Sequence, residues 1–313
     1  MLTYILKRLL GMIVVLMLVV TIVFLIIRVA PGDPAAVMLG PDATPQDIAD
    51  LRARLGLDQP ISVQFLIYVG QLLSGNLGRS IFLNIPVGQA LLERAEPTFF
   101  LTLFSLIIAT VIAVPIGIYA AYRRGSLVDQ LSTGIGMFAA SIPSFWLGLI
   151  LMQVFAVKLR LFPVSGYGGP DAGFFNRMTH LALPSVALGI VSSALILRFT
   201  RASMLDVLED DYVRTARAKG LKEGQVVLVH ALKNAMIPIL TVLGLTAAVL
   251  ISGAVVTETV FGLPGIGSLV VSAVLRRDYP VIQGALLVIA ALYVLINFII
   301  DMLYLLVDPR VRY

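Results

Sequence analysis

Residues 210–238 carry the groups in this chain best suited to transmit force, because charged and apolar side chains recur there at helical spacing between two long apolar stretches. Asp211 opens the pattern, Val213 and Ala216 share one face, Arg214, Arg217 and Lys219 fall late, and Gly220 supplies a stop. Tyr212, Thr215 and Ala218 fill the positions between. Acid first and base last complements the helix dipole. Past the stop the chain continues through Val226, Val227 and Val229, carries His230, Lys233 and Asn234, and reaches Pro238, where the next apolar span is expected to begin. Val213 and Ala216, on the exposed face of such a helix, call for a cover. The chemistry on offer is docking, with His230 as a packing or hydrogen-bonding residue.

Other chemistries lack their residues. There is no cysteine and there are two histidines, His180 and His230, which excludes disulfides, thiolate sites, a cysteine nucleophile and a histidine cage. No G-x-x-x-x-G-K-[ST], G-x-S-x-G or H-E-x-x-H string occurs, so neither nucleotide binding nor hydrolysis is expected of this chain. The glycine-rich string at residues 262–267 reads as a tight turn. Asp301 falls at a span end and Glu258 and Arg28 near the opposite boundary, which leaves a proton-coupled transporter without midspan acids. No cofactor or metal is expected on the chain itself.

The elements that position the segment follow from composition. Of 313 residues 59% are hydrophobic and 13% charged, with mean hydropathy +0.97, which describes an all-α polytopic membrane protein. The net charge of +5 is modest and gathered near span ends, suiting anionic lipid headgroups of the bilayer and not nucleic acid. Six stretches approach the length of about twenty residues that a span needs, at 9–27, 99–122, 131–157, 181–197, 237–256 and 281–300. The first is read as a retained span, since its apolar run exceeds a usual signal-peptide core and Arg28 spoils a cleavage site. Lys7, Arg8, Arg123, Arg124, the bases of 198–233, Arg310 and Arg312 fall on one side, which the positive-inside rule makes cytoplasmic, with both termini. Lys158, Arg160, Arg276 and Arg277 fall opposite.

The chain divides into an N-terminal transmembrane helix at 1–30, an external helical subdomain at 31–97 and a five-helix core at 98–313 that includes a cytoplasmic coupling segment at 203–236. In the external part Thr44, Pro45 and Asp47 form a capping signature, Ile48, Leu51 and Leu55 repeat at helical spacing, and Gly56 ends the pattern. A second helix follows Pro60, with Ile61, Phe65, Val69 and Leu72 on one face. These faces should pack on each other or on the outer span ends. Polar groups inside spans need partners or a wet cavity, so Ser141, Ser144, Gln153, Ser185, Ser192, Ser193, Thr246, Ser252 and Asn297 are candidates for a transport pathway as well as for helix packing. Pro115, Pro143 and Pro184 are candidate kinks.

Six strings then occur in order: Pro31-Gly32-Asp33-Pro34, Leu55-Gly56-Leu57-Asp58, residues 214–220 (RTARAKG), residues 234–238 (NAMIP), Pro264-Gly265-Ile266-Gly267 and Arg277-Asp278-Tyr279-Pro280. Together with the closing Asp308-Pro309-Arg310 they resemble the permease subunit of dipeptide, oligopeptide and glutathione ABC importers, over essentially the whole chain. The resemblance implies a type I importer permease fold in the bacterial inner membrane and a role in moving short peptides. It also implies a second related permease, a pair of cytoplasmic ATPase subunits holding ATP and Mg, and an external binding protein that delivers substrate. The family's cytoplasmic E-A-A loop, matched on Gly220, places Arg214, Thr215 and Ala216 at its start, and its Glu is absent here. Related permeases also move nickel complexes, and an ion-coupled secondary transporter is the remaining alternative.

Overall fold

The computed structural model describes residues 2–29, 34–40, 43–54, 56–169 and 171–307. Pro31, Gly32, Asp33, Leu55, Asp308, Pro309, Arg310 and Arg312, and the side chain of Leu51, lie outside the described residues. The described chain is helical: α1 Leu2–Val29, α2 Pro34–Leu39, α3 Pro45–Arg54, α4 Ile61–Leu73, α5 Val87–Glu93, α6 Ala95–Tyr122, α7 Leu127–Ser141, α8 Ser144–Leu151, α9 Phe174–Leu208, α10 Asp211–Ala218, α11 Glu223–Gln225, α12 Leu232–Phe261, α13 Ile266–Arg276 and α14 Tyr279–Val307. Widened π turns follow α8 at Met152–Lys158 and α11 at Val226–Ala231.

Among the described residues five helices are long and apolar enough to cross a membrane, at Leu6–Ile26, Ala95–Tyr122, Phe174–Leu208, Glu223–Phe261 and Tyr279–Tyr304. The span expected at 131–157 is instead a pair, Leu127–Ser141 and Ser144–Lys158, bent by 95°. Pro143 is the cause. A residue before proline is pushed out of the helical region, and Ile142 sits at φ −88°, ψ 127°.

Pro238 likewise does not open the fifth span. It lies inside α12, as Pro115 and Pro184 lie inside α6 and α9. Each removes one amide donor from its helix. Around Pro238 the helix persists because Ala235 and Ile239 on either side are 0% and 1% exposed, so packing outweighs local preference.

Two compact units are distinguishable. The first comprises residues 97–267 and 295–307 of the described chain. Here α12 runs along α9, and Leu101, Leu181, Leu250 and Phe261 fill one buried cluster. Small residues let backbones approach: a Cβ at Gly117 would stand 2.8 Å from Thr200, and one at Gly189 2.8 Å from Ile108. Glu258 is wholly buried, its carboxylate accepting from the Thr98 hydroxyl at 2.5 Å. That hydroxyl in turn accepts from the Ile266 amide at 2.9 Å. Side chains at Gly265 and Gly267 would collide with the same carboxylate, so the Pro264–Gly267 turn is wrapped around a buried acid.

The second unit comprises residues 2–96 and 268–294. Its helix α4 packs on the first span: Phe65 meets the Phe24 ring edge-on at 5.1 Å, and Tyr68 lies 5.6 Å from it. Arg28 stacks 3.4 Å over the Phe24 ring and donates to Gln64 at 2.8 and 3.0 Å. Burial pushes the Tyr68 hydroxyl up to about 12. The capping box at α3 forms: Asp47 donates its amide to the Thr44 hydroxyl at 3.2 Å, and the Thr44 amide donates back to the Asp47 carboxylate at 3.1 Å. The Thr44 hydroxyl, donating to the Asp47 carboxylate at 2.6 Å, and then the Thr44 amide hold that carboxyl below its usual range, so their support is present above the ordinary carboxylate pKa and is lost as pH falls through the lowered one.

Asp278, 2% exposed, organises the loop after α4 in the same unit. Its carboxylate accepts from the Ser80 hydroxyl at 2.5 Å and from the amides of Ile81 and Phe82 at 3.3 Å. Replacing it by alanine orphans those donors, at a cost of about 1–3 kcal/mol for a buried group. Asp278→Ala should therefore accelerate hydrogen exchange at the Ile81 and Phe82 amides, read by mass spectrometry on the intact protein. Unchanged protection would show that the loop is held by something else.

Candidate functional site

Helix α10 leaves α9 through Asp210, whose φ of −66° and ψ of 147° mark it as the flanking residue before the first turn. At eight residues α10 is too short to persist alone in water. Packing holds it. Val213 is 0% and Ala216 7% exposed, in a cluster with Ala121 of α6, Met204 of α9, Val226, Val227 and Ala231 of the second π turn, and Ala235 of α12. The expectation that Val213 and Ala216 need a partner's cover is thus corrected: this chain covers them itself. Full burial of one such valine is worth about 1.5–3 kcal/mol.

Gly220 turns the chain at φ +79°, a conformation that side chains with a Cβ adopt only with strain. Its amide donates to the Arg217 carbonyl at 2.9 Å. Across the turn Arg217 reaches Glu223 at 2.8 and 3.1 Å, linking α10 to α11. Both side chains are more than a third exposed, so the pair contributes at most about 1 kcal/mol and chiefly sets geometry. Arg214 pairs with Asp211 at 3.2 Å on the open surface, and Thr215 donates to the Asp211 carbonyl at 2.9 Å. The Tyr212 hydroxyl lies 3.5 Å from the carbonyl oxygen of His230, at the limit of a hydrogen bond.

What remains open to a partner is a different set from the buried pair. Tyr212, Arg214, Thr215, Arg217, Ala218, Lys219 and Gly220 are exposed, as are His230, Lys233 and Asn234. Leu221 is 38% exposed, and Leu228 and Val229 are each 58% exposed. Leu221 and Leu228 were not singled out by sequence reasoning. The signal lay in the unbroken apolar run 226–229, since consecutive residues cannot all face one side of a helix: Val226 and Val227 turn inward, Leu228 and Val229 outward.

A second clasp, also unread in the sequence, secures the neighbouring loop. Arg201 of α9 grips Asp129 through two bonds of 2.5 and 2.8 Å, and Asp129 also accepts from the Gly125 amide at 2.9 Å. Arg124 reaches Glu209, at the end of α9, at 2.6 Å. Ser126 followed three residues later by Asp129 was the available sign, and Ser126 does cap α7 by accepting from the Asp129 amide.

The pathway candidates differ in burial and in hydrogen bonding. Ser141, Gln153 and Ser252 are exposed, with Ser141 and Ser252 bonded to carbonyls of their own helices at 3.0 and 2.9 Å. Ser144, Ser192 and Asn297 are half-buried. Ser193 is buried and donates to Ile190 at 2.6 Å, whereas the buried hydroxyls of Ser185 and Thr246 have no hydrogen-bond partner among the described residues.

Residues 113–313 match the family described as binding-protein-dependent transport system inner membrane component, and residues 1–87 match the N-terminal region of such membrane components. The chain is 47% identical over 310 residues, 99% of each chain, to a probable peptide ABC transporter permease protein, y4tP, of Sinorhizobium fredii. It is 44% identical over 313 residues, 100% of each chain, to the glutathione transport system permease protein GsiC of Salmonella typhimurium. It is 39% identical to the dipeptide transport system permease protein DppB of Escherichia coli, over 100% of this chain and 99% of that one. A solved structure of the MetNI methionine ABC transporter, in inward-facing conformations, superposes with a TM-score of 0.58 at 18% identity, over 70% of this chain and 97% of that one, a likeness of fold. With a membrane-spanning helical framework, a clasped helix between its two longest helices and a family match over most of its length, the chain belongs to the binding-protein-dependent transport system inner membrane components and is a multi-pass inner-membrane permease subunit of an ABC transporter.

Proposed function

We propose that this permease forms the translocation pathway for short peptides, together with a second related permease, and that it is driven by cytoplasmic ATPase subunits that hold ATP and Mg. Substrate arrives from an external binding protein. Full-length likeness to permeases named for peptide, glutathione and dipeptide transport supports the substrate class. Both termini and the α10 region face the cytoplasm, as the bases at Lys7, Arg8, Arg123 and Arg124 suggest. The observation that carries the coupling role is the exposure of Tyr212, Leu221, Leu228 and Val229, together with Lys219 and Lys233, on an element packed by its own buried face against α9 and α12. These exposed groups dock the ATPase; Val213 and Ala216 position them. A groove in the ATPase that covers these apolar groups would draw most of its affinity from a few of them.

The distinction is testable. Leu228→Asp with Val229→Asp should lower ATP-dependent uptake of a labelled tripeptide by about tenfold or more through lost docking, the scale of one hot-spot residue. The folded permease should remain within about 0.5 kcal/mol of the parent, as surface changes usually do. Val213→Asp should instead reduce the amount of folded permease recovered. Full uptake and ATPase co-purification with the double variant would overturn the docking assignment. Uptake that ignores ATP and collapses with a protonophore would overturn the importer reading itself.

Gly220 tests the turn. Gly220→Val forces a branched side chain to φ +79°, whereas Gly224, inside the region of α11 and without positive φ, has open space around it. Uptake should fall further with Gly220→Val than with Gly224→Val, and equal activities would remove the turn from the coupling geometry.

A further inference from the structure

Between α7 and α9 the surface of the first unit opens into a cleft of about 290 Å³. Its walls are mainly apolar, Gly136, Met137 and Ala140 on α7 and Ala194, Leu195 and Leu197 on α9, and its polar lining is Thr133, Arg198 and Arg201. From Val191 to Arg198 it follows α9 for about 10 Å at the helical rise, about two thirds of one leaflet of a hydrocarbon core about 30 Å thick.

The two arginines are not equivalent. Arg201 is already neutralised by the paired bonds to Asp129. Arg198 is exposed and makes no ion pair among the described residues. Its guanidinium stands 5.9 Å from the Phe199 ring, at the end of the apolar stretch of α9 and so at the edge of the bilayer. The mouth therefore presents one uncompensated cation above a mainly apolar groove. A basic pocket between spanning helices is suited to a lipid headgroup.

We propose that this cleft holds an anionic phospholipid, its phosphate against the Arg198 guanidinium and one acyl chain laid between α7 and α9. The lipid would brace the first half of the bent pair, α7, against α9 near the Asp129–Arg201 clasp. The assignment rests on the membrane setting and not on which peptide is moved or where the ATPase docks. A helix of the second permease would be the other kind of occupant, and it would show no preference for an anionic headgroup.

Native mass spectrometry of the purified full chain, titrated with phosphatidylglycerol or with phosphatidylcholine, tests the proposal. The parent should retain phosphatidylglycerol over phosphatidylcholine, and Arg198→Ala should weaken that retention about fivefold, the effect of one base near a membrane surface. Arg198→Lys should keep most of it. Ala140→Trp, at an exposed wall position, should exclude the lipid while leaving Arg198 in place, and Arg276→Ala, an exposed base of the second unit, should change nothing. Thermal unfolding should match the parent for each variant in lipid-free detergent, and inorganic phosphate should not stabilise any of them. Equal retention of the two lipids, unchanged retention in Arg198→Ala, or protection by inorganic phosphate alone would overturn the assignment. So would a photo-cross-linker at Ala140 that captures the second permease in the assembled importer and no lipid.

Discussion

Burial of Val213 and Ala216 against Met204, Val226 and Ala231 is the contact on which the rest of the segment between α9 and α12 depends. Without it an eight-residue helix would fray, because its own hydrogen bonds cannot offset the entropy of ordering it. With it, α10 becomes a rigid outgrowth of α9 and α12, the two helices that pack most extensively in the first unit. The Gly220 turn and the Arg217–Glu223 pair then fix the angle at which the chain returns to the membrane. The inner face holds the geometry, while Leu221, Leu228 and Val229 stay exposed.

Three short strings that marked the family have physical reasons in the fold, and each centres on a buried carboxylate or a turn. Asp278 gathers the hydroxyl and amides of residues 80–82. Glu258 is enclosed by Thr98 and the turn through Gly265 and Gly267, where only glycine leaves room for it. Gly220 occupies a backbone conformation reserved in practice for glycine. A buried carboxylate left without its donors is costly, so these acids specify local conformation strongly. They also explain why acids near span boundaries need not signal proton transport.

Helix type and span positions were legible because apolar runs of span length have few other solutions in a chain this hydrophobic. The Thr44–Asp47 box and the Gly220 stop were legible because caps and left-handed turns are written locally. The break at Ile142–Pro143 was only half legible: proline announces a kink, whereas its 95° size depends on what each half packs against. The run through Pro238 was illegible for the same reason, since buried neighbours decided it. In the candidate site, position and polarity could be read but facing could not. Periodicity assigned Val213 and Ala216 to one face without revealing that the face is internal, and the π turn at Val226–Ala231 shifts the register that periodicity assumes. The Asp129–Arg201 clasp joins residues far apart in sequence, and no local pattern encodes such a pair.

We propose that residues 203–236, held together by the Val213 and Ala216 contact, move as one body when the ATPase changes nucleotide state. The chain has no cysteine, so spin labels can be placed uniquely through Arg214→Cys and Lys233→Cys, both at exposed positions. Pulsed electron paramagnetic resonance on the assembled importer, nucleotide-free and ATP-bound, would report the distance between them. A rigid element predicts superimposable distance distributions in the two states while uptake remains intact. A shifted or newly broadened distribution on binding ATP would contradict it, because the segment would then bend where the buried Val213 and Ala216 contact is held to keep it stiff.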